Sequence, residues 1–242
     1  MSVIEVEQLT KDYGSHRGVF DVSFEVGEGE VFGFLGPNGA GKTTTIRHLM
    51  GFSKPQSGAI KVSNKDSWKD AAAIKREVGY LPGELAFPKN MTGKAFIDFM
   101  ARERQISDMT KTDHLIDMFE LDISPKLDTM SLGTRRKVAI VTAFMHDPDI
   151  LVLDEPTSGL DPVMQERFIE FLLEEKELAN RFFYRVIFSA KWMQPVIGLP
   201  LLKKAKWFRR WLQMIFGKMK IRLTKSNLLM KMNINVLLTI PP

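Results

Sequence analysis

The sequence contains no cysteine, and its acidic residues stop well before its end. The absence of cysteine excludes disulfide bonds and thiolate metal sites, and it is consistent with a reducing compartment. No apolar run reaches the roughly 18 residues that a membrane-spanning helix needs. The first residues, MSVIEVEQLTKDYG, include early acids and no apolar segment of the kind found in a signal peptide. These absences favour a soluble protein.

Acidic residues are missing from the last quarter of the chain. Every Asp and Glu lies at or before Glu177, whereas residues 179–242 carry 13 of the 34 Lys and Arg and three of the four Trp. Residues 1–178 therefore carry 21 basic and 29 acidic side chains. The formal net charge of +5 combines −8 in the body with +13 in the tail. Two different compositions are joined near residue 179.

A complete phosphate-binding motif, G-x-x-x-x-G-K-[ST], occupies residues 36–43 as GPNGAGKT. It follows the apolar run VFGFL and precedes a predicted helix with Ile46, Leu49 and Met50 on one face. Glycines let the backbone wrap a phosphate chain, and exposed N–H groups at a helix N-terminus favour the anion. Lys42 is expected to reach the β- and γ-phosphates, and the Thr43 hydroxyl is expected to bind Mg²⁺. The predicted nucleotide-binding residues of the loop are Gly36, Asn38, Gly39, Ala40, Gly41, Lys42, Thr43 and Thr44.

A second motif, DILVLDE at residues 149–155, predicts a buried strand that ends in two acids. Ligands bind at the carboxyl ends of strands in open α/β sheets. Asp154 is expected to hold Mg²⁺ together with Thr43. Glu155 is the predicted catalytic residue, placed to polarise a water for attack on the γ-phosphoryl group. The structural alternative is a strand followed by an acidic helix cap.

With these motifs in this order, residues 3–178 resemble the ATP-binding subunits of ABC transporters. The resemblance implies that Tyr13 stacks on adenine; the alternative is a hydrophobic residue near a strand end. It also implies that Ser158-Gly159-Leu160-Asp161 is the D-loop, which crosses the interface between two ATP-binding domains. Asp161 is accordingly included among the predicted nucleotide-binding residues.

Met130-Ser131-Leu132-Gly133-Thr134 stands where the family carries its signature sequence, usually LSGGQ. The resemblance implies that Ser131 and Gly133 bind the γ-phosphate held by a partner subunit. A helix N-cap with no such role is the alternative for Ser131. The next three residues, Arg135, Arg136 and Lys137, are interpreted as a solvated basic face, although they could also support the phosphates.

The chain departs from the family at two positions that handle water during hydrolysis. Gly83 stands where the family usually has a Gln, and the neighbouring Glu84 is either a substitute metal contact through water or an exposed carboxylate. The family's switch histidine follows the D-loop, whereas all four histidines here precede it. One of them, His146, is predicted to be an exposed loop residue.

The tail explains the missing histidine if it is read in another frame. Back-translation of residues 180–208 and reading from the third base of each codon permits PIFLSSHIFSEVDATCDRIALIKEGKMV, a family-like phrase that includes the histidine. Some steps of this reading have no freedom: Trp192-Met193-Gln194 forces Asp then Ala in the other frame, and Trp207-Phe208 forces Val. We interpret residues 179–242 as an aberrant tail produced by a frameshift or a sequencing error. The competing interpretation is a basic amphipathic membrane anchor near residues 207–216.

The predicted fold is an α/β phosphate-loop core of ABC type. Residues 1–178 form the ATP-binding domain, within which residues 83–148 form a helical subdomain. The resemblance implies that this subdomain docks the membrane subunit, and Phe96, Phe99 and Met100 are interpreted as core residues rather than as the docking surface. The part of the core that normally follows the D-loop is expected to be missing, so that the sheet lacks its last strand.

The predicted function is that of an ATP-binding subunit, with ATP and Mg²⁺, that powers export across a membrane. Implied partners are membrane-spanning subunits and a second ATP-binding subunit, with no nucleic acid, and the implied location is the cytoplasmic face of the cell membrane. ATP hydrolysis is doubtful because the switch histidine is absent. One alternative is a non-catalytic or misfolded product that at most binds ATP. Another is a soluble ABC-type ATPase not linked to transport.

Overall fold

A computed structural model describes residues 2–15, 17–28, 31–35 and 39–178, together with three strands in the tail, 185–190, 222–223 and 229–232. Ten strands and six helices lie within these residues. They form one antiparallel sheet, one mixed sheet, and a group of three helices inserted between two strands of the mixed sheet.

The antiparallel sheet comes from the first part of the chain. β1 (Ser2–Asp12) pairs with β2 (Gly18–Gly27) on one side and with β4 (Ser57–Val62) on the other, and β4 pairs with β5 (Lys65–Asp66). The buried apolar side chains of these strands pack on the helix that follows the phosphate loop. The antiparallel sheet therefore supports the helix that follows the phosphate loop through apolar contacts.

The mixed sheet has the order β6-β7-β8-β3-β10-β9. Its four parallel strands are β6 (Val78–Leu81), β7 (Ile150–Asp154), β8 (Arg185–Ala190) and β3 (Val31–Leu35). β10 (Leu229–Met232) and β9 (Arg222–Leu223) continue the sheet in antiparallel fashion. The carboxyl ends of β3 and β7 thus lie at one edge of the sheet, with β8 between them.

β7 is buried on both faces, as its unbroken apolar sequence predicts. Successive side chains point to opposite faces of a strand. Leu151 and Leu153 pack against the helical part of the molecule, whereas Ile150 and Val152 pack toward the antiparallel sheet. One strand therefore joins the two hydrophobic cores and holds the acids at its end in place.

The helices of the described residues are α1 (Lys42–Leu49), α2 (Ala71–Glu77), α3 (Gly93–Glu103), α4 (Thr110–Met118), α5 (Leu132–Phe144) and α6 (Pro162–Leu178). Three of them, α3 to α5, lie within residues 83–148. Phe119 and Phe144 of this group pack against Phe168 and Phe171 of α6. Within the described ranges, no helix combines the length and apolar content needed to cross a bilayer.

The assignment of Phe99 to the core was wrong. Phe96 packs edge-on against Phe87, with the ring centroids 5.1 Å apart, and Met100 lies against the same core. Phe99 remains 39% exposed. Phe99 lies three positions after Phe96, and α3 rests on the core through the face that carries Ile97 and Ala101, so Phe99 points partly to solvent.

The expectation that the sheet lacks a strand after α6 also differs from the structure. Arg185–Ala190 lies between β7 and β3, with Val186 opposite Leu151 and Val31. β7 and β3 each present an edge of unpaired backbone groups, and such an edge pairs with an available extended segment. The sequence RVIFSA is rich in residues that favour strands, which composition analysis of the whole tail did not reveal. The amphipathic segment 207–216 lies outside the described residues.

Candidate functional site

The end of the phosphate loop and the start of α1 form the first part of the site. Gly36 and Asn38 lie outside the described residues, whereas Gly39 to Thr44 are described. Gly41 precedes α1 with φ 83°, a backbone conformation that favours glycine. A Cβ on Gly41 would lie 2.3 Å from Cγ1 of Val19, so β2 packs directly under the loop. The N-cap position of α1 is Gly41, which has no side chain to cap the helix, and a helix N-terminus of this kind favours an anion.

Lys42 and Thr43 begin α1, and their side chains differ in exposure. Lys42 is only 7% exposed, whereas Thr43 is exposed. The Thr43 hydroxyl donates a hydrogen bond of 2.9 Å to Oδ2 of Asp154. Strands β3 and β7 thus deliver the two predicted metal-binding side chains to one point, because their carboxyl ends lie at the same edge of the sheet.

Asp154 has the features of a metal-binding carboxylate. It is 2% exposed, and within the described residues its Oδ1 atom is buried without a hydrogen-bond partner. An unpaired buried carboxylate oxygen costs free energy unless a cation or a donor reaches it. Hydroxyl and carboxylate oxygens are the ligands that Mg²⁺ prefers. Thr43 and Asp154 therefore fit a Mg²⁺ ion, which would be completed by phosphate oxygens and water.

Glu155 leaves β7 through an unusual backbone conformation. Its φ is 49°, in the left-handed region that non-glycine residues rarely adopt. The Glu155 carbonyl accepts a hydrogen bond of 3.0 Å from the Ser158 N–H, which closes a turn. This turn changes the direction of the chain directly after β7. Glu155 is therefore partly exposed, whereas Asp154 stays buried. Strain of this kind is concentrated at functional sites.

Gly83 packs against the same carboxylate. A Cβ on Gly83 would lie 3.1 Å from Oδ2 of Asp154, so a side chain there would require a shift of a few tenths of an ångström. The glycine therefore lets the backbone approach the acid where the family usually places a Gln side chain. The adjacent Glu84 is exposed.

Tyr13 lies at the tip of the loop between β1 and β2. Its ring is 57% exposed, and Nζ of Lys11 lies 5.7 Å from the ring centroid. A hydrogen bond of 2.8 Å from the Tyr13 N–H to the Arg17 carbonyl closes the loop immediately before Gly18 and Val19, which contact Gly41. The exposed aromatic face is thus held on the loop that packs under the phosphate-binding turn.

Ser131 and Gly133 form the start of α5 and contact the 158–161 loop. The Ser131 hydroxyl accepts a hydrogen bond of 3.0 Å from the Thr134 N–H, so Ser131 is the N-cap of α5. A Cβ on Gly133 would lie 2.9 Å from the Gly159 carbonyl oxygen. Asp161 accepts a hydrogen bond of 3.0 Å from the Met164 N–H at the start of α6. Two helix N-termini therefore meet at one exposed surface.

The interpretation of Arg136 as part of a solvated basic face was wrong. Arg136 is 1% exposed, and its guanidinium donates to three backbone carbonyls: Nη1 to Pro82 at 2.6 Å, Nη2 to Gly83 at 2.7 Å and Nε to Ser158 at 3.0 Å. Burial lowers the pKa of Arg136 from its ordinary value, while the nearby Glu155 and Asp154 act to raise it. The sequence signal was its position on α5, two positions before the apolar run that begins at Val138.

Arg135 and Lys137, on either side of Arg136 in the sequence, are less buried than Arg136 and have other contacts. Lys137 donates a hydrogen bond of 2.8 Å to the Phe119 carbonyl at the end of α4, and Arg135 is partly exposed. The interpretation as a solvated face is therefore also wrong for Lys137. Helical geometry turns successive side chains by about 100°, so three consecutive basic residues reach three different surroundings.

His146 is partly buried, so its prediction as an exposed loop residue was wrong. Burial, followed by the neighbouring Arg104, lowers the pKa of His146 to about 3. His48 is fully buried in α1, and its Nδ1 lies 2.8 Å from the Thr44 carbonyl. Burial lowers the pKa of His48 as well. Both side chains serve the packing of their elements.

Comparison with known proteins places this geometry in context. The family model described as "ABC transporter" matches residues 19–158. The bacitracin transport ATP-binding protein BcrA of Bacillus licheniformis is 35% identical over 182 residues, which cover 73% of this chain and 60% of that protein. The probable multidrug ABC transporter ATP-binding protein YbhF of Escherichia coli is 35% identical over 176 residues, 69% of this chain and 30% of that protein.

Solved structures show the same fold. An ATP-binding subunit of an ABC transporter superposes with a TM-score of 0.67 at 28% identity, covering 77% of this chain and 79% of that one. A dimeric ATP-binding cassette in a post-hydrolysis state, bound to ADP and Pi, superposes with a TM-score of 0.68 at 21% identity, covering 78% and 88%. The chain spans between 30% and 60% of the length of the first three curated relatives that it matches.

Proposed function

The chain belongs to the ABC transporter family, and from this membership we propose that it is an ATP-binding subunit whose nucleotide cycle powers export across a membrane. The observation that carries the proposal is the hydrogen bond between Thr43 and Asp154, 2.9 Å long and joining residues 111 positions apart. It brings the start of α1 and the acidic strand end together, which supports the action of both motifs on one nucleotide. The relatives named for bacitracin and multidrug transport support export as the direction.

Each site residue has a proposed role in binding Mg-ATP. Lys42 balances the charge of the β- and γ-phosphates, and the N–H groups from Gly39 to Thr44 bind their oxygens. Thr43 and Asp154 hold Mg²⁺, which when bound neutralises phosphate charge and orients the phosphate oxygens. Tyr13 offers its exposed ring to the adenine.

Glu155 is proposed to orient and deprotonate the attacking water. Its carboxylate leaves the strand end next to Asp154 but remains partly exposed, as a group that must contact water requires. Ser131, Gly133 and Asp161 lie on one exposed surface at two helix N-termini, which suits an anion held by a second copy. The related dimeric cassette supports such a pairing. We propose membrane-spanning subunits as the other partners, a location on the cytoplasmic face of the membrane, and no nucleic acid.

The test of this function is Mg-ATP binding by the purified chain and its Lys42→Ala variant. Removal of the charge at Lys42 is expected to abolish binding, because it answers the most concentrated negative charge on the ligand. Arg47→Ala removes an exposed positive charge five residues further along the same helical region, so it is the matched control, and it should bind as the unchanged chain does. Equal affinity of the unchanged chain and Lys42→Ala would contradict the proposal.

A second candidate is a product that binds ATP but hydrolyses it poorly. Two observations favour it: the four histidines all precede the 158–161 loop, and Gly83 supplies backbone rather than a Gln side chain beside Asp154. We propose that the reading frame changes near residue 179, which accounts for the acid-free tail and the missing histidine together. Sequencing the DNA across codons 175–185 tests this directly.

A further inference from the structure

Two loops flank the acid pair Asp154 and Glu155, one on each side. Pro82 and Gly83 form the first loop, whose backbone packs against the Asp154 carboxylate, with 3.1 Å between Oδ2 and a Cβ built on Gly83. Ser158 lies in the second loop, and its N–H bonds the Glu155 carbonyl at 3.0 Å. Each loop is therefore in direct contact with one of the two acids.

Arg136 is bonded to both loops. Its Nη1 and Nη2 bond the carbonyls of Pro82 and Gly83, at 2.6 and 2.7 Å, and its Nε bonds the Ser158 carbonyl at 3.0 Å. A guanidinium holds these donors in a rigid plane, so the three bonds fix the distance between the loops. The side chain is 1% exposed, so the guanidinium itself is shielded from water.

The same residue also ties the acid pair to the start of α5. Arg136 lies in the second turn of α5, whose N-cap is Ser131, and Gly133 in its first turn packs on Gly159 of the second loop. The buried Arg136 side chain thereby connects the loops beside Asp154 and Glu155 with the surface that the helix N-termini form. Among the described side chains near the acid pair, this is the contact that spans both loops.

We propose that Arg136 is a positioning residue that fixes the 82–83 and 158 loops against the acid pair, so that it sets the geometry of hydrolysis without touching the nucleotide. This inference deepens the proposed function and rests on it for the word hydrolysis. The clamp itself is a property of the folded chain and can be tested without nucleotide.

The test compares Arg136→Met with Lys137→Met by backbone hydrogen exchange in the full chain. Both substitutions keep an unbranched apolar stem, and both remove hydrogen bonds from α5 to backbone carbonyls. Among the described residues, Lys137 bonds the Phe119 carbonyl and neither loop, so it is the matched control. Arg136→Met should speed exchange at least about tenfold in peptides covering 81–85 and 156–160, while the rest of α5 keeps its protection. Lys137→Met should leave both loops unchanged.

Arg136→Lys keeps the positive charge but removes the planar guanidinium with its three donors. It is the test variant if Arg136→Met does not fold. A single ammonium cannot occupy the places of three guanidinium nitrogens, so at least one loop should lose protection. Full protection of both loops in Arg136→Lys would overturn the proposal, as would equal effects of Arg136→Met and Lys137→Met or a response confined to one loop in Arg136→Met.

Mg-ATP affinity distinguishes failure of this inference from failure of the proposed function. If the unchanged chain binds Mg-ATP, Arg136→Met should bind it within about threefold, because the guanidinium contacts loops rather than ligand. A loss of affinity greater than tenfold would instead make Arg136 part of the binding site and overturn its role as a positioning residue. If the unchanged chain does not bind Mg-ATP, the proposed function fails while hydrogen exchange still decides whether the clamp exists.

Discussion

Among individual side chains, His146 shows how burial changes the chemistry of a residue that looks like an ordinary loop histidine in the sequence. Burial and the nearby Arg104 lower its pKa to about 3, with Lys111 acting in the same direction and Asp147 against them. The folded chain therefore keeps this imidazole neutral at pH values where the unfolded chain protonates it. Because the unfolded state binds the extra proton, acid destabilises the fold through this residue.

We predict that the free energy of unfolding falls as the pH decreases from about 6.5 toward about 3 through His146. The ordinary pKa of 6.5 and the lowered value of about 3 set this window, and they correspond to at most about 2 kcal/mol between pH 7 and pH 5. His146→Gln should remove that part of the slope in urea titrations at several pH values. His114 is exposed on α4, so His114→Gln is the control. Equal slopes in the two variants would show that His146 titrates normally.

Among the helices, the N-termini of α5 and α6 form the surface that is proposed to contact the nucleotide of a second copy. Ser131 and Thr92 are both N-caps, and each accepts a hydrogen bond from the N–H three residues later, at 3.0 and 3.1 Å. Their local chemistry is the same, but only Ser131 lies beside the 158–161 loop. The pair therefore separates capping from nucleotide contact.

We predict that Ser131→Ala and Thr92→Ala each lower the free energy of unfolding by about 1 kcal/mol, the usual effect of losing an N-cap. Only Ser131→Ala should also weaken association of two chains in the presence of Mg-ATP. Denaturant unfolding measures the first effect, and analytical ultracentrifugation with and without Mg-ATP measures the second. Similar association in both variants would assign Ser131 a capping role alone, the alternative that the sequence left open.

On the scale of the whole molecule, strand β8 decides whether the mixed sheet is continuous. It pairs with β7 and with β3, the two strands that deliver Asp154 and the phosphate loop. Without it, two parallel strands would face each other across an unfilled position, with their backbone groups unpaired. We therefore expect the fold to need β8 from the tail, whatever reading frame produced it.

We predict that a chain ending at residue 178 is much less stable than one ending at residue 190. Both truncated chains lack β9 and β10, and the two chains differ in β8, which the longer one keeps. Thermal unfolding and light scattering should show a lower Tm and aggregation for the 1–178 chain. If both truncated chains unfold and aggregate alike, β8 contributes nothing and the sheet ends at β7.

Restoring the inferred reading frame after residue 178 should raise ATP turnover by roughly 10²–10⁴-fold. This is the usual effect of one positioned group that handles a proton or orients water. Steady-state phosphate release from the two chains measures it, and Glu155→Gln in the restored chain should remove the gain. Turnover as fast in the present chain as in the restored one would contradict the assignment of the missing histidine.

The sequence alone determined the family, the acidic strand end and the change of composition near residue 179, and it predicted the phosphate loop. Those features depend on local spacing: a glycine-rich turn before a helix, an apolar run before two acids, and the sign of charge along the chain. The contact between Thr43 and Asp154 followed from them, because parallel strands end at one edge of a sheet.

Only the tertiary structure decided the environments of Arg136, His146, Phe99 and residues 185–190. Burial and hydrogen bonding of these groups depend on segments distant in the chain, such as Pro82 and Ser158 around Arg136. Consecutive basic residues on a helix look alike in sequence, and neighbouring elements alone determine which of them is enclosed. Strand β8 is similar: its sequence is ordinary, and the open position between β7 and β3 gives it a partner on each side.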